Sequence, residues 1–119
     1  MIDFIKKLFA APPPQIYGEA QRDLIAGISM PRSRHWAEVR DKFLQDHPRC
    51  EVTGSRIDLE VHHIVPFHLV PALELRESNL IVLTREIHFF VGHLCNWKSY
   101  NPTCVDDVLA WRKKIEKRP

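Results

Sequence analysis

The spacing of apolar residues changes period between positions 33 and 93, and that change restricts the fold more than any other feature of the chain. From Ser33 to His47, Trp36, Val39, Phe43 and Leu44 recur at helical spacing, with Ser33 placed to cap the helix and Pro48 to stop it. Thr53-Gly54-Ser55 is then a turn signal. Ile57, Leu59 and Val61 alternate with Asp58, Glu60 and His62, as in a half-buried strand. Pro66 and Pro71 bracket an irregular stretch that runs to Ser78, and Asn79 opens a short β-type run through Leu83. Thr84 to about Val91 reads as a helix capped by Thr84, with Gly92 near its end. After a loop at Ser99-Tyr100-Asn101-Pro102, a final helix is predicted from Val105 to Lys117, with Val105, Val108, Leu109 and Trp111 facing inward. Trp36 and Trp111 both read as core residues. The expected class is α+β, ordered helix, strand, long loop, strand, helix, helix.

A chain of 119 residues sets one compact domain as the expectation, with residues 1–31 as an arm or linker and 32–119 as the folded unit. Residues 2–10 suit a helical turn or two and residues 18–28 a short helix, separated by Pro12-Pro13-Pro14. Apolar residues make up 45% and charged residues 27%, a balance that fits a globular protein, and no apolar run approaches a membrane span. The first eleven residues lack the layout of a secretory signal, and the three cysteines, Cys50, Cys95 and Cys104, form no disulfide framework. A cytoplasmic protein with reduced thiols is the expectation. Net charge is only +2, but basic residues gather at Arg32, Arg34, Arg40, Lys42 and Arg49 and again at 112–118, where they could meet phosphates or simply face water.

Five of the seven histidines fall between positions 62 and 93: His62, His63, His68, His88 and His93. Neutral imidazole acts both as a base near pH 7 and as a ligand for divalent metals. The stretch Val61-His62-His63-Ile64-Val65-Pro66, then Ser78-Asn79-Leu80-Ile81-Val82-Leu83, then His88, resembles the HNH endonuclease motif. The intervals agree as well, with 16 positions from His63 to Asn79 and nine from Asn79 to His88. The resemblance covers about residues 49–93. Gly92-His93-Leu94 and the run Asn96 to Pro102 are similar to a short phage- or bacterial-type subgroup.

The resemblance implies a ββα-metal core flanked by N- and C-terminal helices. It implies hydrolysis of phosphodiester bonds in DNA, double-stranded by expectation, with a 5′-phosphate product and one divalent ion, Mg²⁺, Mn²⁺, Ni²⁺ or Zn²⁺. Carried over residue by residue, His62 and His88 are metal ligands, His63 is the general base, and Asn79 is the asparagine that holds the loop and the base in place. Adjacent strand residues point to opposite faces, which suits the division of labour between His62 and His63. His93 is i+5 from His88, roughly 140° around an ideal helix. It joins the metal only if the helix ends or bulges at Gly92; otherwise water or phosphate oxygens complete the shell. Arg34, Lys98, Lys113 and Lys114 are candidate nucleic-acid contacts.

One departure from the family is visible. Many relatives carry two Cys-x-x-Cys pairs around a structural zinc, whereas the matching positions here are Cys50, Thr53, Thr84 and Ile87. No structural zinc is expected. His35 and His47 read as helix-surface residues, His68 as a loop residue without a role or a phosphate contact, and Trp97 and Tyr100 as core packing or loop anchors or else as nucleic-acid contacts. Two rivals remain: an inactive nucleic-acid-binding module on the same fold, and a zinc-structured interaction protein. Relatives of this kind serve in phage packaging, mobile elements and restriction.

Overall fold

A computed structural model describes residues 31–119; the arm expected at 1–31, with its two possible helical stretches, lies outside the described residues except for Pro31. The described chain is α+β. Helix α1 spans Trp36–Asp46, strand β1 spans Leu59–His63 and strand β2 spans Leu80–Thr84. Helix α2 begins as a single α turn, Arg85–Ile87, and continues as a π-helical turn, His88–Gly92; helix α3 spans Cys104–Glu116. Two 3-10 turns, Pro71–Leu73 and Glu77–Asn79, shape the long loop between the strands. Among the described residues no helix is long and apolar enough to cross a membrane.

The two strands form an antiparallel sheet in which Val61 pairs with Val82, His62 with Ile81 and His63 with Leu80. β2 is buried on both faces, which accounts for its unbroken apolar run where a half-exposed strand would alternate. Leu80 and Val82 pack with Val61 and Phe43 against α1. Ile81 and Leu83 pack with Cys50, Val52, Val91, Cys104 and Val108 on the side of α2 and α3. Because side chains alternate along a strand, this register turns His62 toward α2 and leaves His63 on the α1 face with Val61.

Several elements start or face differently from expectation. The strand begins at Leu59, because Asp58 has φ of 54° and breaks the extended run; Ile57 is left 73% exposed. Helix α1 has His35 at its cap position, and Ser33 Oγ accepts from the His35 N–H at 3.1 Å, one turn ahead of the helix proper. Trp36 is half-buried at the edge of the α1 cluster, where its ring lies 4.3 Å from that of His63, so it is not a fully enclosed core residue. Trp111 is exposed, with Lys114 over its ring at 5.2 Å. Val105, Val108 and Leu109 do pack inward as expected, and Arg112, not Trp111, turns toward the interior with them. Arg112 donates from Nη1 to the Glu51 backbone carbonyl at 3.3 Å and to Glu51 Oε2 at 3.4 Å.

Glu51 explains that rotation. Its side chain is fully buried, and Oε1 has no hydrogen-bond partner. Burial pushes its carboxyl up from 4.5 to about 7, and Arg112 opposes the shift without cancelling it. Between those values the folded chain binds more protons than the unfolded chain. The stabilising contribution is therefore complete below 4.5 and is lost as pH rises through 7. Thermal melts of wild type and Glu51→Gln test this. The melting temperature of wild type is expected to fall relative to the glutamine variant between about pH 5 and about pH 8. A difference that stays flat across that range contradicts the assignment.

Candidate metal centre

His62, His88 and His93 converge, each offering a ring nitrogen, with the three nitrogens within 4.8 Å of one another. The ring of His62 lies edge-on to His88 at 4.9 Å and to His93 at 5.0 Å. His62 arrives from β1 by the register described above. His88 stands at the start of the π turn. Thr84 caps α2 by accepting the Ile87 N–H at 3.3 Å, a contact typically worth about 1 kcal/mol. His93 reaches the cluster because the helix widens. A π turn adds one residue to the helical circuit, so i+5 takes the place that i+4 holds on an α-helix. Gly92 leaves the room this needs: a Cβ there would stand 3.0 Å from His88 Cδ2 and 3.1 Å from His62 Nδ1. The widened turn is tied down by Asn101, which is buried and donates from Nδ2 to the Val91 carbonyl at 2.7 Å.

The outer bonds of two rings fix which nitrogen points inward. His88 donates from Nδ1 to Glu60 Oε1 at 2.9 Å, and His93 donates from Nδ1 to the Ser99 carbonyl at 3.0 Å. Each Nε2 is then left with a lone pair, and the two Nε2 atoms face each other at 3.1 Å. Two lone pairs at that distance repel unless a proton or a cation lies between them. His62 Nε2 is buried with no hydrogen-bond partner. Three imidazoles, two of them oriented by a carboxylate and a carbonyl, are a donor set that fits a divalent transition metal.

Electrostatics favour the neutral form of His62 and His88. Burial, reinforced by the neighbouring histidines, drives His62 down to about 2. Burial also lowers His88, although its bond to Glu60 works the other way. Burial raises Glu60, but its bonds with His88 and Arg85 outweigh that and hold the carboxyl below its ordinary range.

His63 faces the same cleft, which has a volume of about 620 Å³ and is also lined by Arg32, Trp36, His68, Trp97 and Lys98. Its Nε2 donates to the Glu74 backbone carbonyl at 2.9 Å, so Nδ1 is the lone-pair nitrogen of the neutral ring. Burial lowers its pKa, against the pull of the Glu74 carbonyl. Asn79 stands behind it. Its Oδ1 accepts from Val65 N–H at 2.8 Å, and its Nδ2 donates to the Val65 and Leu73 carbonyls at 3.0 and 3.2 Å. Asn79 therefore closes the loop that carries Glu74 over His63 without touching the ring's hydrogen-bonding nitrogen.

Of the candidate nucleic-acid contacts, Lys98 lines this cleft. Arg34 is exposed and lies outside its lining, with Nε 3.4 Å from His35 Nε2. Lys113 and Lys114 are on the exposed side of α3, also outside the lining. Four residues that structure adds to the site, Arg32, Trp36, Glu60 and Glu74, carry no motif of their own. Trp97 is exposed and lines the cleft, with its ring 5.1 Å from His88 and 5.2 Å from His93. In comparisons with known proteins, no family model matches the chain, and no curated protein or solved structure matches it.

The crowding at Gly92 makes it the most informative single substitution. Gly92→Ala is expected to displace the His62 and His88 rings and weaken Zn²⁺ or Ni²⁺ binding by about 10–100-fold in calorimetric titration. An affinity equal to wild type in a variant with an unchanged circular dichroism spectrum contradicts the ligand assignment.

Proposed function

We propose that the chain is a metal-dependent endonuclease of the HNH type, built on a ββα-metal core formed by β1, β2 and α2, that hydrolyses phosphodiester bonds in DNA. The observation that carries this reading is the shared cleft. Three imidazoles suited to one ion line it together with a fourth, His63, whose neutral ring keeps Nδ1 as an acceptor. The HNH resemblance of the sequence gives His62 and His88 as ligands and His63 as the base, and leaves His93 open.

His62, His88 and His93 would hold the ion, and histidine nitrogens favour Zn²⁺, Ni²⁺ or Mn²⁺ over Mg²⁺. When bound, the ion supplies positive charge to the phosphate and to the leaving 3′-oxygen. His63 Nδ1 takes a proton from the attacking water as its oxygen bonds to phosphorus and the P–O3′ bond breaks. The products are a 5′-phosphate and a 3′-hydroxyl. Its lowered pKa keeps His63 unprotonated at neutral pH, and the Glu74 carbonyl holds the imidazolium N–H that forms. Lys98 stands in the cleft where a phosphate would enter.

Supercoiled plasmid tests the reading. Wild type with Mn²⁺, Ni²⁺ or Zn²⁺ is expected to nick or linearise it, chelation to stop the reaction, and His63→Ala to lower the rate by at least about 100-fold while leaving metal binding intact. DNA binding with no cleavage under any of these ions would overturn it in favour of a binding module on the same fold.

A further inference from the structure

One buried acid near the cleft has no part in holding an ion. The Glu74 side chain is 4% exposed, yet it is fully engaged: Arg32 Nε donates to Oε2, and the Ser33 N–H donates to Oε1 at 2.8 Å. Arg32 and Ser33 precede α1 and lie more than forty residues from Glu74 in sequence, outside the strand-loop-strand-helix unit. The backbone carbonyl of this same Glu74 accepts from His63 Nε2. Trp36, at the start of α1, also packs on this imidazole, with its ring 4.3 Å from that of His63.

From this arrangement we infer that the Arg32–Glu74 pair is a positioning latch. It fixes the segment before α1 to the interstrand loop and thereby sets the tautomer and ring orientation of His63. Two features tie the pair to the loop. The guanidinium carbon of Arg32 lies 4.7 Å from the centre of the Phe67 ring and 5.6 Å from that of Trp36 while Nε is held by Glu74, although the side chain is 49% exposed and lines the cleft. Glu74 turns no free carboxylate oxygen to the cleft, because each oxygen already accepts a bond. What reaches His63 is a carbonyl, and a carbonyl can only accept. It therefore selects the Nε2–H form and keeps the Nδ1 lone pair. The carbonyl is held by Asn79 from one side, through Leu73, and by the latch from the other.

The inference rests on the nuclease reading for its consequence but not for its test. Glu74→Gln removes the ion pair while keeping a side chain able to accept from Ser33. Arg32→Met with Glu74→Gln removes both charges, so that no uncompensated buried charge drives unfolding. In the full chain at one alkaline pH, long-range ¹H–¹⁵N spectra read the His63 tautomer directly. Wild type is expected to show the Nε2–H form alone. Both variants, with the fold intact by circular dichroism, are expected to show a mixture of tautomers. With Mn²⁺ and plasmid, kcat is expected to fall by about tenfold with KM within about twofold, as for a misplaced base and not a lost substrate contact.

An unchanged tautomer in either folded variant overturns the latch, even if wild type cleaves DNA. A change confined to KM also overturns it, because Arg32 would then be a substrate contact. A shifted tautomer in proteins that never cleave DNA supports the latch and overturns the nuclease reading instead.

Discussion

The geometry of the centre depends on one widened helical turn. An α-helix that continued past His88 would carry His93 around to another face, and Gly92 would occupy the position beside His88. The π turn at His88–Gly92 inserts the residue that changes this, and two neighbours make it tenable. Gly92 has no Cβ to meet His62, and Asn101 takes the Val91 carbonyl that the irregular turn leaves to be satisfied. Asn101 is itself set by Asp107, which accepts from Nδ2 at 2.8 Å, and by Thr103, whose N–H and Oγ1–H donate to Oδ1 at 3.0 and 3.1 Å. The start of α3 thus stabilises the ligand geometry of α2.

A second set of buried polar groups performs the same service on the other face of the sheet. The loop between the strands has little regular structure, and its backbone groups need partners. Asn79 supplies three of them from one amide, and Glu74 supplies anchorage to the segment ahead of α1. A small core can enclose such groups only if each is satisfied. Among the described residues the two exceptions differ in kind. Glu51 Oε1 lies where a raised pKa lets a proton replace the missing partner. His62 Nε2 lies on a ring driven neutral by burial, beside two other imidazoles.

Much of this was legible from residues alone, and the parts that were not share a cause. The two strands and the cap at Thr84 follow from local period and local chemistry, while the grouping of His62, His63 and His88 comes from the HNH resemblance. The membership of His93 turned on whether the helix bulged at Gly92. The π turn is governed by contacts with Asn101 and His62, which helical periodicity does not contain. The exposure of Trp111 was hidden for the same reason: hydrophobicity favours burying tryptophan, but the buried carboxylate of Glu51 requires Arg112 on the inward face. Arg32 and Glu74 were invisible as a pair because neither belongs to a spacing pattern. Their relation is a tertiary contact between charged residues 42 positions apart.

The four positions that the HNH resemblance aligns with structural-zinc cysteines show how the hairpin is held by other means. Cys50 is fully buried in the α2–α3 side cluster, and Ile87 packs against that cluster. Thr84 caps α2, and Thr53 Oγ1 accepts the Ser55 N–H at 3.2 Å within the turn that Gly54 completes at φ of 76°. Cys104 joins Cys50 in the same cluster, where burial, with Asp107 adding to it, pushes its thiol up to about 12. A thiol held so firmly in its protonated form packs as a small apolar side chain and is a poor metal ligand, since coordination needs the thiolate. Apolar packing and two hydroxyl bonds therefore occupy the places that metal-binding thiols would need, and among the described residues the histidine cluster is the group whose ligand atoms lie close enough to hold an ion.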